Sequence, residues 1–171
     1  MSAFTFAACK QQQQAVVGVA QSAVNAEHKA QAKASLLDQQ RAALENIPVP
    51  TKSLYVDVHD AAAWANPFIT VQSDMLDVRI NLADANPSAT GKDSMLRPAA
   101  ARRQELQIRP ADLAQAVVAL PAGAWRYGRV IAVAEAPNAA AKDRPAIRRN
   151  VEAAIKQLND LGVVVEEWPG R

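Results

Sequence analysis

The chain has 171 residues, half of them apolar and only 5% aromatic, with a formal net charge of +2. That length suits one domain plus an extension, and the apolar share is enough for a core. The charge is too mild for a nucleic-acid face, which needs concentrated Lys and Arg. A single cysteine excludes an internal disulfide framework and a Cys-rich zinc site, and no run reaches the roughly 18 apolar residues of a membrane helix.

In chain order, residues 1–9 form a short apolar start ending at Cys9. Residues 10–47 are rich in Ala, Gln, Lys and Glu, with no Pro before the end and one glycine, Gly18. This composition predicts one long helix, or two broken near Gly18. Val16, Val19, Ala23, Ala26 and Ala30 make a thin stripe at helical spacing, and Leu36, Leu37, Leu44 and Ile47 strengthen it. Such a helix is a spacer or a weak coiled-coil strand. Pro48-Val49-Pro50 ends it, since proline lacks the N–H donor. A domain is expected over residues 51–171.

Within the domain, Leu54 to Val58 reads as a strand and Asp60 to Asn66 as a turn carrying Trp64. Phe68 to Gln72 reads as a second strand. Leu76 to Leu82 alternates apolar and polar residues, the pattern of a half-buried strand. Residues 83–103 have no period and read as a loop of a length that is usually functional or disordered. Gln104 to Arg109 alternates again, with Leu106 and Ile108 expected to face in. Pro110-Ala111-Asp112 opens a helix whose buried face is Leu113, Ala116, Val117 and Leu120. Arg129 to Ala134 reads as a central strand, because Val130, Ile131, Ala132, Val133 and Ala134 are all apolar. Asp143 is expected to cap a helix over Arg144 to Asp160, and Gly162 to end it before a last strand from Val163 to Trp168. The expectation is an α+β protein: a long N-terminal helix, then a small domain with a sheet of about five or six strands and two helices packed on one face.

Catalytic patterns are weak. His28 and His59 lie in separate segments, and His59 between Asp57 and Asp60 falls short of the three-ligand geometry of catalytic zinc. No serine sits in a nucleophile elbow, and no glycine loop is built for phosphate. The expectation is a protein that is not an enzyme and needs no cofactor. The functional candidates are cations of the long loop: Lys92, Arg97, Arg102 and Arg103, whose guanidinium forks suit carboxylate or phosphate on a partner. The bland alternative pairs them with Asp93 and Glu105 on a solvated surface.

Phe6-Ala7-Ala8-Cys9 resembles the processing site of a bacterial lipoprotein, where the cysteine takes lipid. Only eight residues precede Cys9 and none is basic, so a full leader would need an upstream start. The alternative is an apolar terminus with a free thiol. Two stretches are together similar to the periplasmic domain of the ExbD/TolR proteins. One is Phe68-Ile69-Thr70-Val71 running into Leu76–Leu82. The other runs from Ile108-Arg109-Pro110-Ala111-Asp112-Leu113 through Tyr127-Gly128-Arg129-Val130 and the Arg144–Asp160 helix to Leu161-Gly162-Val163. The resemblance implies a small periplasmic domain that dimerises or binds envelope components. The proton-coupling membrane helix of that family has no counterpart here. The resulting expectation is a lipid-anchored periplasmic protein that binds a protein or cell-wall partner, with a homodimer among its assemblies. The alternative is a cytoplasmic structural or regulatory protein that oligomerises through its helix.

Overall fold

The computed structural model describes residues 7–82 and 103–169, with side chains of the first helix from residue 24 onward. Lys92, Arg97 and Arg102 lie outside the described residues. The chain divides into two units, residues 1–39 and 40–171. Helix α1 is Ala7–Leu44. Of its described side chains, Val24 and Leu36 are exposed, Leu37 is half-buried and only Leu44 is buried. The described part of the expected apolar stripe, from residue 24 on, is therefore exposed at Ala26, Ala30 and Leu36, and is buried only at Leu44.

The second unit is α+β. Its strands are β1 (Phe68–Val71), β2 (Leu76–Asn81), β3 (Arg103–Ile108), β4 (Val130–Glu135) and β5 (Val164–Trp168). They form one five-stranded sheet in the order β3-β2-β1-β4-β5. The β1–β2 and β2–β3 pairs are antiparallel, and β1–β4 and β4–β5 are parallel. The two parallel strands β4 and β5 are joined through helix α3 (Arg144–Asp160), a βαβ unit. Strand β4 is buried along its first five residues, as expected of an interior strand in parallel pairing. Gly162 stands at φ +76 just beyond α3, a conformation that favours glycine at a helix end.

Five expectations need correction. Leu54 to Val58 is not a strand: Lys52–Leu54 is a 3-10 turn, and the N–H groups of Tyr55, Val56 and Val58 bond back to residues three or four earlier. Burial reverses the reading of this segment, because Tyr55 is buried while Leu54 and Val56 are exposed. Packing of one ring has overridden β propensity. The helix after Pro110 is shorter than expected: a 3-10 turn leads into α2, which is only Leu113–Val118. With Leu113 and Val117 as its buried pair, α2 packs on α3, while α3 makes the broad contact with β1, β4 and β5. The sheet contact is thus carried mainly by α3, while α2 rests on α3 and borders Val78 and Ile80, rather than the two helices sharing the sheet equally. Asp143 precedes α3, but its carboxylate makes no capping hydrogen bond. Finally, Leu106 lies on the core side of the sheet, opposite the buried Val78, yet it is 53% exposed, because β3 is an edge strand.

Residues 48–50 are fastened to the strand entry rather than swinging free. The Arg129 N–H donates to the Pro48 carbonyl at 2.8 Å, and the Thr51 N–H donates to the Tyr127 carbonyl at 3.3 Å. Gly128 permits this approach. Its φ is +84, and a Cβ there would lie 2.6 Å from the Pro48 oxygen.

Candidate functional site: an aromatic cleft on the sheet

The register places Phe68, Ala132, Glu166 and Arg79 in one row across one sheet face, with Thr70, Ala134, Trp168 and Asp77 in the next. On the opposite face, Ile69, Val71, Val78, Ile131 and Val133 are buried. The first face is roofed by the turn segment after Thr51. Tyr55, Trp64 and Phe68 pack there with Val130, Ala132 and Ala134, and Tyr127 and Trp168 close the edges.

The aromatic rings meet edge to face. Trp64 stands 5.6 Å from Tyr55, 5.3 Å from Tyr127 and 5.6 Å from Trp168, centroid to centroid. Phe68 meets Trp168 at 5.4 Å and 88°. Such contacts add about 0.5–1.5 kcal/mol each beyond the area they bury. The Trp64 indole N–H donates to the Pro67 carbonyl at 3.0 Å, which fixes the ring's direction. Beneath this layer Asn66, the buried polar residue of the core, is fully employed. Its amide NH2 donates to the carbonyls of Gly128 and Val130 at 2.8 Å each, and its oxygen accepts the Tyr127 N–H at 2.7 Å. The turn segment is thereby bolted to the start of β4.

Two cavities open on either side of Trp168, and the Trp168 ring and Pro169 line both. One, of about 390 Å³, is walled by Tyr55, Trp64 and Trp168 and edged by Lys52, His59 and Glu166. The other, of about 260 Å³, has Phe68, Thr70 and Ala134 as its floor and Asp60, Arg79 and Glu135 at its sides. The Tyr55 hydroxyl is held above the ordinary phenol pKa, first by burial and then by the charge and hydrogen bond of Glu166. The Arg79 guanidinium lies 4.6 Å over the Phe68 ring and donates to the Ala61 carbonyl. Burial and the nearby Arg103 lower its pKa, against Glu105 and Asp60, which raise it.

Of the cations expected to bind a partner, Arg103 is the one described. It opens β3 opposite Asn81, half-buried, and lines a smaller hollow of about 130 Å³ with Arg126. The backbone of Cys9 is helical, within α1. Among the described residues no three of His, Cys, Asp and Glu gather closely enough to hold a metal ion, and no helix is long and apolar enough to cross a membrane. Sequence reading missed the cleft. Trp64, Tyr127 and Trp168 are far apart in the chain, and only the crossover through α3 brings Trp168 beside Phe68. The available signal was the placement of Trp64 in a turn and Trp168 at a strand end, where rings can line an opening.

No protein-family model matches the chain, and comparison with curated proteins and with solved structures gives no significant match.

Proposed function

We propose that this is a non-catalytic binding protein of the bacterial envelope, carried on a lipidated Cys9 with α1 as spacer, and that the cleft around Trp168 receives a cell-wall component. The observation that carries the reading is the paired cavity: aromatic walls with Arg79, Lys52, Glu135 and Glu166 at the rim. Aromatic faces hold the apolar sides of sugar rings, and a few charged groups fix orientation, which is the usual make-up of a small-molecule site. A wall fragment combines sugar rings with carboxylates and amines, so it uses both kinds of lining. The resemblance to the ExbD/TolR periplasmic domain supports the same compartment.

The test titrates a purified disaccharide-peptide wall fragment into the full chain and follows tryptophan fluorescence. Trp168→Ala is expected to weaken binding by about 10-fold or more, the loss of roughly 1.4 kcal/mol or more. Arg79→Gln is expected to weaken capture of the carboxylate-bearing fragment more than that of its amidated form. A fluorescence signal that stays flat to millimolar fragment, or a Trp168→Ala variant that binds as well as the parent, would remove the cleft from this role.

A further inference from the structure

Strand β3 has one neighbour in the sheet, β2, and its other edge is open among the described residues. It pairs with β2 along all six residues, Arg103↔Asn81 to Ile108↔Leu76, with no bulge and no proline inside. Natural edge strands are commonly blunted by bulges, prolines or lysines, because an open row of N–H and C=O groups templates another strand. Four of its six residues are exposed, Leu106 among them. Behind Leu106 runs an apolar groove of about 480 Å³, floored by Val78 and Ile80 and walled by Ala116, Ala119 and Leu120 of α2 and the residues after it.

We propose that a second copy of this chain adds to the β3 edge, antiparallel, about a twofold axis through Gln107. The charge pattern selects this register. An axis at Glu105 would set the two Glu105 carboxylates opposite each other, and one at Leu106 would set Arg103 opposite the partner's Arg109. With the axis at Gln107, Glu105 faces the partner's Arg109 and Leu106 faces the partner's Ile108, each twice. The Gln107 amides meet on the axis. Opposed residues in an antiparallel pair share a sheet face about 4.5–5.5 Å apart at Cβ, so opposite charges there attract and like charges repel. The backbone permits the extra residue: Arg109 is extended at φ −77, ψ 150, so the strand continues one position beyond Ile108. Arg109 now holds Asp112 at 2.8 Å, but its side chain is 74% exposed, and such surface pairs are weak enough to exchange. The partner's Ile108 beside Leu106 closes the mouth of the apolar groove. A self-complementary surface of this kind gives a closed pair rather than a filament.

Sedimentation equilibrium of the full chain from roughly 10 μM to 1 mM tests this, a range suited to a small interface. The expected result is a concentration-dependent dimer. Glu105→Arg alone sets arginine opposite arginine, and Arg109→Glu alone sets glutamate opposite glutamate. Each is expected to raise the dissociation constant about 10-fold or more at low salt. The double variant restores opposite charges and is expected to return within about 3-fold of the parent. Leu106→Lys is expected to weaken the dimer without the charge rescue. Melting temperatures of all four variants separate lost pairing from lost folding. A chain monomeric to 1 mM overturns the proposal, and leaves the edge to a strand of another protein. A dimer indifferent to all four variants also overturns it, because that dimer forms elsewhere.

Discussion

At the scale of single residues, Asn66 carries more of the structure than its position in a turn suggests. It is buried, and its amide serves three backbone groups that have come together from 61 to 64 residues away. A buried polar group left unpaired costs about 1–3 kcal/mol. Asn66→Ala strands two carbonyls and an N–H at once, so a stability loss of about 2–4 kcal/mol is expected in urea unfolding. Asn81, which donates to the Trp64 carbonyl at 2.8 Å from a half-buried site, is the comparison. Asn81→Ala is expected to lose less than half as much, since water can replace its bond. Equal losses would mean that the Asn66 contacts are replaceable and that the roof of the cleft is held by ring packing alone.

At the scale of elements, the end of α1 belongs with the second unit. Leu44 is 1% exposed, and the Arg41 guanidinium donates to the Asp160 carbonyl at the end of α3. Residues 48–51 then run along Tyr127–Arg129 through the two backbone bonds already described. A chain beginning at Gln40 keeps all of this, and a chain beginning at Thr51 loses Arg41, Leu44 and the Pro48 carbonyl and keeps only the Thr51 contact. Removing a buried leucine costs about 2–5 kcal/mol. The Thr51 form is therefore expected to melt well below the Gln40 form by circular dichroism, by about 10 °C or more for a domain of this size. Coincident melting curves would show that Leu44 contributes nothing to the core and that Pro48-Val49-Pro50 is a free joint.

At the scale of the whole molecule, the proposed roles sit on separate surfaces. The cleft lies on the sheet face under Tyr55 and Trp64, while the β3 edge runs along the far side of β2. The two come closest where Glu105 of β3 stands opposite Arg79 of the cleft. The anchor reading rests on Phe6-Ala7-Ala8-Cys9, and it is checked on native protein by mass spectrometry. The expected mature chain starts at Cys9 carrying a diacylglyceryl group, and Cys9→Ser is expected to move the protein from the membrane fraction to the soluble one. Two acyl chains are enough for stable anchoring where a single one is not. Native protein with an unmodified Cys9 thiol would end the lipoprotein reading.

The sequence alone determined the elements whose cause is local. Leu76–Asn81 alternates because one face of β2 is buried, and Arg144–Asp160 repeats Ile147, Val151, Ala154 and Leu158 because one face of α3 is buried. Gly162 announced the end of α3, and the apolar run at Val130 announced an interior strand. Tertiary structure decided what depends on neighbours distant in the chain. Tyr55 is buried, and not Leu54 and Val56, because its ring meets Trp64 and Tyr127, which no period in residues 54–58 encodes. Leu106 is exposed because β3 falls at the sheet's edge, a matter of strand order, and alternation reads the same in an edge strand as in a central one. The cleft exists because the crossover through α3 sets Trp168 beside Phe68 and Trp64, joining residues about a hundred positions apart. Periodicity records which way a side chain points within its own element, and only the folded chain decides what it points at.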